Sequence, residues 1–394
     1  MSENKYASEK NYAVREEESG ILEKIGVKYY QYMAKKAGIS KMASLSIDDL
    51  PPDDVMCSIA ANMTHFAAII AFSVGALTTM ISVWFEWQYY QRMDETLYYF
   101  YYGLIVIAML VIEMGVLFWL SLKTVHGLAC LTGHHYANDE MSLPGNDAVA
   151  NILARAALEV PDPVVHYLGI DPLKHAPRTK LLFISVLYKA KVILSGLVIK
   201  FLFIRIFGKG SSRLGFTWIA IPITGIWDAF VMYKVAKEAR LRLFGNRLAH
   251  YLADSIMQAE LMDRLSPKAR EGAIRAVATT MVLSQNYHPN MLILMIKLSD
   301  VFKIKKQVEY DNWDDFLQVL SEVETHERYF ILDLLSVSAA FDGNLSRLER
   351  YHLPQAFGEY TDVYMARMEN LTEALLNGRL HAAKALCQLD FELG

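Results

Sequence analysis

The stretch "MCSIAANMTHFAAIIAFSVGALTTMISVWF", residues 56–85, contains no Asp, Glu, Lys or Arg; the flanking charges are Asp54 and Glu86. A helix rises about 1.5 Å per residue. One helix through this run is therefore long enough to cross a hydrocarbon layer of about 30 Å, with tilt. The alternative is a buried core helix of a large soluble protein. A second run makes that alternative hard to sustain: "TLYYFYYGLIVIAMLVIEMGVLFWLSL", Thr96 to Leu122, is broken only by Glu113.

Two further segments complete an expected set of four. One runs from Leu181 to Phe207 and carries Lys189, Lys191, Lys200 and Arg205; the other runs from Leu214 to Val235 with Asp228 inside it. The fold class expected is all-α: a four-span bundle of two transmembrane hairpins with a C-terminal helical domain. The divisions are an N-terminal segment (1–55), a first hairpin (56–122), a connection (123–180), a second hairpin (181–235) and a helical domain (236–394). The aromatic run "WFEWQYYQRMDETLYYFYY", residues 84–102, suits an interfacial belt around a tight hairpin turn.

Composition agrees. The 394 residues are 53% hydrophobic, above the usual range for a soluble chain. A net charge of −4 leaves no footprint for nucleic acid. Three scattered cysteines, Cys57, Cys130 and Cys387, argue against a disulfide framework. The first 55 residues lack the basic-then-apolar order of a secretory signal and are too acidic for a transit peptide.

Orientation follows from Lys and Arg near the span ends. Lys234, Lys237, Arg240, Arg242 and Arg247 follow the fourth segment; Lys35, Lys36 and Lys41 precede the first; Lys174, Arg178 and Lys180 precede the third. The expected topology is a multi-pass protein of the inner (plasma) membrane with both termini cytoplasmic. Arg92, Lys209 and Arg213 in the two opposite turns run against that bias.

Charge inside a bilayer is costly and comes paired or functional. Counted by helical rise, Glu113, Asp228, Lys189 and Lys191 fall at similar depth, with Lys200 nearer a surface. Ser185, Lys189, Gly196 and Lys200 share one helical face, and Thr217, Thr224 and Asp228 another. Ala71, Gly75 and Thr79 form a small-residue stripe that lets a neighbouring helix approach closely. Polar faces turned inward would bring the acids to the lysines. Either the cluster fixes helix register or it lines a proton or ion path. Pro222 is expected to kink or loosen the fourth segment above Asp228.

Past the second span, His126, Cys130 and His134 recur every four residues, and His135, Asp139 and Glu140 follow. Imidazole, thiolate and carboxylate at that spacing can hold zinc or another transition metal; the plain alternative is a helix end beside the membrane. Four prolines, Pro161, Pro163, Pro172 and Pro177, mark the rest of 139–180 as a connection rather than a catalytic domain. Residues 19–36 place Ile21, Ile25, Tyr29 and Met33 on one stripe, an amphipathic helix lying on the inner leaflet or packed on the C-terminal domain.

From about Phe244 the pattern is that of a helical domain. Ser266 before Pro267 caps one helix, another follows His288-Pro289, and Gly378 breaks a third. In "AAFDGNLSRLER", residues 339–350, Asp342-Gly343 ends a helix and Ser346 or Asn344 caps the next. Asp342, Gly343, Leu345 and Glu349 in this segment resemble the helix–turn–helix signature of TerB-like tellurite-resistance domains. That resemblance implies a small helical module of membrane-linked stress complexes, whose acidic positions would be Asp342 and Glu349 and whose acids have been suggested to bind metal. The plain alternative is a turn Asp and a solvent-facing Glu.

No nucleophile elbow, phosphate-binding loop or kinase-type signature occurs. The sequence therefore points to a non-enzymatic, oligomeric anchor or scaffold. It would hold a cytoplasmic interaction domain at the lipid bilayer for a second copy or a protein partner. The alternative is a channel or ion-coupled transporter built on Glu113, Asp228, Lys189, Lys191 and Lys200. A membrane enzyme using a His/Cys metal site stands third.

Overall fold

The computed structural model describes residues 12–14, 21–36, 46–133, 165–167, 170, 218–285, 288–303, 309–387 and 389. Among these the fold is helical, apart from a short antiparallel pairing of β1 (Tyr12–Val14) with β2 (Val165–Tyr167), in which Ala13 faces His166. The predicted third segment, 181–207, lies outside the described residues.

Three long helices form the spine. Helix α1 (Ile21–Lys36) leans on them; α2 runs Asp53–Tyr89, α3 Glu95–Leu131 and α4 Ala220–Tyr251. Helices α2 and α3 are long and apolar enough to cross a membrane. Each has 37 residues, roughly 55 Å of helix against a hydrocarbon layer of about 30 Å. Both therefore overrun the predicted spans. Helix α3 continues to Leu131, into the predicted connection, and α4 crosses the predicted boundary at residue 235 without a break. Helix α2 starts after Pro51-Pro52, with Asp53 and Asp54 against its N-terminal dipole. Pro222 sits in the first turn of α4, where a missing N–H costs nothing, so it starts the helix rather than kinking it.

Packing divides the spine into two halves. In the upper half the large apolar side chains point outward: Phe66, Leu77 and Trp84 on α2, Phe100, Ile107 and Val111 on α3, Ile226 and Phe230 on α4. Only 33% and 11% of the most apolar windows of α2 and α3 are buried, whereas a soluble core helix would hide most of such a face. At the hairpin tip Tyr98 is buried, stacking on Phe85 at 6.3 Å and Tyr102 at 5.6 Å, while Trp87, Tyr99 and Tyr101 stay exposed.

The lower half is covered. Ala60 of α2, Leu122, Val125 and Leu128 of α3, and Val235, Ala239 and Leu243 of α4 close around Tyr30 of α1. The Tyr30 hydroxyl donates to the Leu122 carbonyl at 3.0 Å. Among the described side chains of α1, Gly26 and Tyr30 are buried, whereas Ile25 is exposed. Of the predicted Ile21–Ile25–Tyr29–Met33 stripe, Ile25 is exposed and Tyr29 and Met33 are half-buried.

Helix α4 then enters a helical domain. After a π-turn at Leu252–Ile256 come α5 (Ala259–Met262), α6 (Pro267–Ser284), α7 (Pro289–Phe302), α8 (Trp313–Glu322), α9 (Thr325–Ala340), α10 (Arg347–Phe357), α11 (Thr361–Asn377) and α12 (Leu380–Leu386). One core runs through it, with Phe244 of α4, Val277 of α6, Met291 of α7, Leu334 of α9 and Leu371 of α11 buried together. The local signals hold. Ser266 Oγ accepts from Ala269 N at 3.1 Å, and Ser266 itself is held by Glu327 of α9. Of the two capping candidates before α10, Ser346 is the one used. Gly378 ends α11 at φ +75°, a conformation that favours glycine.

Candidate functional site

The polar interior of the upper half is built on one face of α2. Ala71, Gly75, Thr78, Thr79 and Glu86 recur at helical spacing and are buried. Helix α4 crosses this face in close contact. A Cβ added to Gly75 would lie 2.9 Å from the Asp228 Cγ and 3.1 Å from the Thr224 carbonyl. One added to Gly225 would lie 2.9 Å from the carbonyl oxygen of Phe72. The missing side chains let the backbones approach. The predicted stripe on α2 and the Thr224–Asp228 face on α4 are thus brought together.

Hydroxyls knit the contact. Thr79 Oγ1 and Thr224 Oγ1 are 2.7 Å apart, and Thr224 Oγ1 also reaches the Gly75 carbonyl at 3.4 Å. Helix α3 joins from the other side, where Thr78 Oγ1 donates to Glu113 Oε2 at 2.5 Å. Glu113 and Asp228 are 3% and 6% exposed. They abut α2 at Thr78 and Gly75, one turn apart, which agrees with the similar depth expected for them. Their predicted lysine partners Lys189, Lys191 and Lys200 lie outside the described residues, as do Ser185, Gly196 and Thr217.

Sequence reading missed Glu86. It is 3% exposed, a third buried carboxylate on the same bundle. Its charge marks the end of the uncharged run and so reads as a span boundary. The available signal was spacing: Glu86 falls seven residues after Thr79, on the face already carrying Ala71 and Gly75.

The histidine–cysteine run is only partly visible. His126 Nε2 and Cys130 Sγ are 3.6 Å apart on the last turns of α3, and the His126 ring faces Tyr30 at 6.3 Å. The third candidate, His134, lies outside the described residues. Among the described residues no three His, Cys, Asp or Glu side chains gather to hold a metal ion.

Asp342 and Glu349 do come together, Asp342 half-buried and Glu349 in the interior. The plain expectation of a solvent-facing Glu349 is overturned: its side chain is fully buried. One oxygen closes the capping box, accepting from Ser346 N at 2.7 Å, and Ser346 Oγ donates to the Leu283 carbonyl of α6 at 2.8 Å. The other oxygen, Oε1, has no hydrogen-bond partner among the described residues. Burial pushes the Glu349 carboxyl up to about 7. Asp342 accepts from Asn344 N at 3.0 Å. It is also raised well above the usual carboxylate range, by burial first and then by the charges of Glu349 and of Glu238 on α4. The turn fits tightly on α4: a Cβ on Gly343 would meet Leu241 at 2.5 Å. Beside it opens a cleft of about 260 Å³, with Arg350 on one wall and Glu369 and Glu373 on another.

Comparison of the chain with protein-family models, curated proteins and solved structures returned no match.

Proposed function

We propose that the chain is an integral membrane anchor that presents its C-terminal helical domain on the cytoplasmic face of a bilayer, without enzymatic activity. One observation carries this reading: the inversion along the spine. In the upper half Thr78, Thr79, Thr224, Glu113 and Asp228 are buried while Phe66, Phe100, Ile107 and Phe230 are exposed. A hydrocarbon surround makes that arrangement favourable, because exposed apolar groups then cost nothing and polar groups must be satisfied inside. Below Trp119 and Tyr233 the ordinary rule returns, and no large apolar side chain of α3 or α4 is exposed.

The four-span count, the cytoplasmic placement of both termini and an oligomeric state belong to this proposal, as does the TerB-like character of residues 339–350. The unbroken run of α4 from Ala220 to Tyr251 supports a rigid mount rather than a tethered domain. The cleft between Arg350 and Glu369 offers a face for a protein partner.

The test is extraction. Membranes containing the chain are washed in alkaline carbonate, and reagents confined to one side label introduced cysteines. Retention in the pellet, with cysteines introduced at the exposed positions Tyr351 and Val363 reactive from the cytoplasm alone, supports the anchor. Release into the wash disposes of it.

A second reading, an ion or proton conduit, is favoured by the buried carboxylates Glu86, Glu113 and Asp228 inside one bundle. Liposome flux of wild type against Asp228→Asn decides it: flux at the empty-vesicle level in both removes the conduit.

A further inference from the structure

The exposed apolar belt has a defined lower edge, and lysines mark it. On α3 the last large exposed apolar side chain is Trp119, and on α4 it is Tyr233. Lys123 follows one turn after Trp119 and folds its ammonium over that ring at 5.0 Å. Lys234 follows Tyr233 and lies over the Phe230 ring at 4.6 Å. Long cationic side chains at such an edge bury their stems against the apolar surface and keep the charge at its rim.

Helices α3 and α4 deliver lysines to one level, and α1 carries a third beside them. Leu120 of α3 packs with Met232 of α4 in one cluster, and Leu122 packs with Val235 in the next. Lys123 and Lys234 therefore emerge at the same height. Helix α1 is pinned there by the bond from Tyr30 to the Leu122 carbonyl, and Lys28, two residues before Tyr30 in that helix, is exposed. Away from the packed Tyr30, α1 exposes Tyr32 at 62% and Ile25 at 46%, an apolar surface beside the cations.

None of these lysines is neutralised by a carboxylate among the described residues. The nearest acid on α4, Glu238, one turn below Lys234, is held by Arg242 at 2.8 Å. Ammonium groups left free at the rim of an apolar belt suit a partner that is anionic at its head and apolar below.

We propose that Lys28, Lys123 and Lys234 form a collar that binds the anionic headgroups of phospholipids in the cytoplasmic leaflet, with α1 lying under them. This rests on the bilayer reading above and adds lipid selectivity to it. The collar fixes how deep the spine sits, and so the height at which the C-terminal domain is held. Each lysine near an anionic surface is worth about fivefold in affinity.

The experiment is native mass spectrometry of the purified full chain from mixed micelles containing equal phosphatidylglycerol and phosphatidylcholine. The wild type should retain phosphatidylglycerol preferentially. Preference should fall about fivefold for each Lys→Gln change at 28, 123 and 234 and persist in the triple Lys→Arg variant, which keeps the charge. Lys268→Gln, at an ion pair with Glu322 in the distant domain, should change nothing. Equal retention of both lipids by the wild type, or undiminished preference in the triple Gln variant, overturns the collar. Displacement by inorganic phosphate as effective as by phosphatidylglycerol overturns the lipid assignment. Carbonate extraction separates the two layers: a chain released by alkali refutes membrane insertion, while one that is retained but unselective refutes the collar alone.

Discussion

Gly75 of α2 faces the carboxylate of Asp228 on α4, with room for a hydrogen but not for a methyl group. The space is closed from three directions, since the Thr224 carbonyl stands behind and Thr79 ties the same turn to Thr224 at 2.7 Å. Gly75→Ala therefore has to push α4 away or swing Asp228 off its position. Overpacking of this kind costs about 1–3 kcal/mol. The expected outcome is a lower unfolding temperature in detergent for Gly75→Ala. Gly103→Ala on α3, where an added methyl meets nothing, should be neutral or slightly stabilising. Equal behaviour of the two variants would show that the close crossing is not what holds α2 to α4.

Thr78 and Glu113 make the other interhelical link. Thr78→Val keeps the shape and removes the donor to Glu113 Oε2. Loss of one partner from a buried carboxylate costs about 1–3 kcal/mol, so the variant should unfold at lower temperature. Thr78→Ser, which retains a hydroxyl, should recover most of the loss. Thermal unfolding of the three proteins in one detergent checks this.

Asp53, the first residue of α2, ties the far end of the chain to the spine. Its carboxylate accepts from the backbone of His381 at 2.9 Å and of Ala382 at 2.8 Å, and from the His381 ring at 3.0 Å. These are the first amides of α12, and such a cap is worth about 1 kcal/mol. Cys387 at the end of α12 is fully buried, and burial lifts its thiol to about 12, so alkylation requires α12 to open. In a Cys57→Ser/Cys130→Ser background, Asp53→Ala should speed labelling of Cys387 by about fivefold, with Asp53→Asn in between. An unchanged rate would mean that α12 is held by its packing alone.

Glu349 sets a pH dependence whose sign is fixed by burial. Burial raises its carboxyl to about 7 in the folded chain, against 4.5 for a free glutamate side chain. Between those values the folded state holds a proton that the unfolded state has released. Stability is therefore complete below about 4.5 and declines as pH rises through 7, by on the order of 3 kcal/mol. The raised Asp342 carboxyl acts in the same direction. Denaturant unfolding at pH 6 and pH 8 should show the domain weaker at pH 8, and Glu349→Gln should flatten that difference. A wild-type stability that rises from pH 6 to pH 8 with a slope insensitive to Glu349→Gln would refute the assignment.

Much of this protein is decided by local chemistry and is therefore visible in one dimension. The uncharged run before Glu86 and the run around Glu113 become the long helices α2 and α3 because hydrophobic length and helical rise are properties of a single segment. Ser266, Ser346 and Gly378 act where they were expected, since a cap concerns only the turn it closes. The small stripe Ala71–Gly75–Thr79 also announces its role, because a face without side chains can only be a contact. What that stripe touches was a matter for the tertiary structure. Asp228 meets Gly75 and Thr78 meets Glu113 because three helices cross at one height. Crossing height depends on pairings between residues far apart in the chain, such as Thr224 with Gly75 at 149 positions, which no local pattern encodes. For the same reason Glu349 reads as an exposed helix residue and is instead buried: α10 packs against α6, α9 and α11, and their approach is fixed by the whole core rather than by its neighbours in the chain.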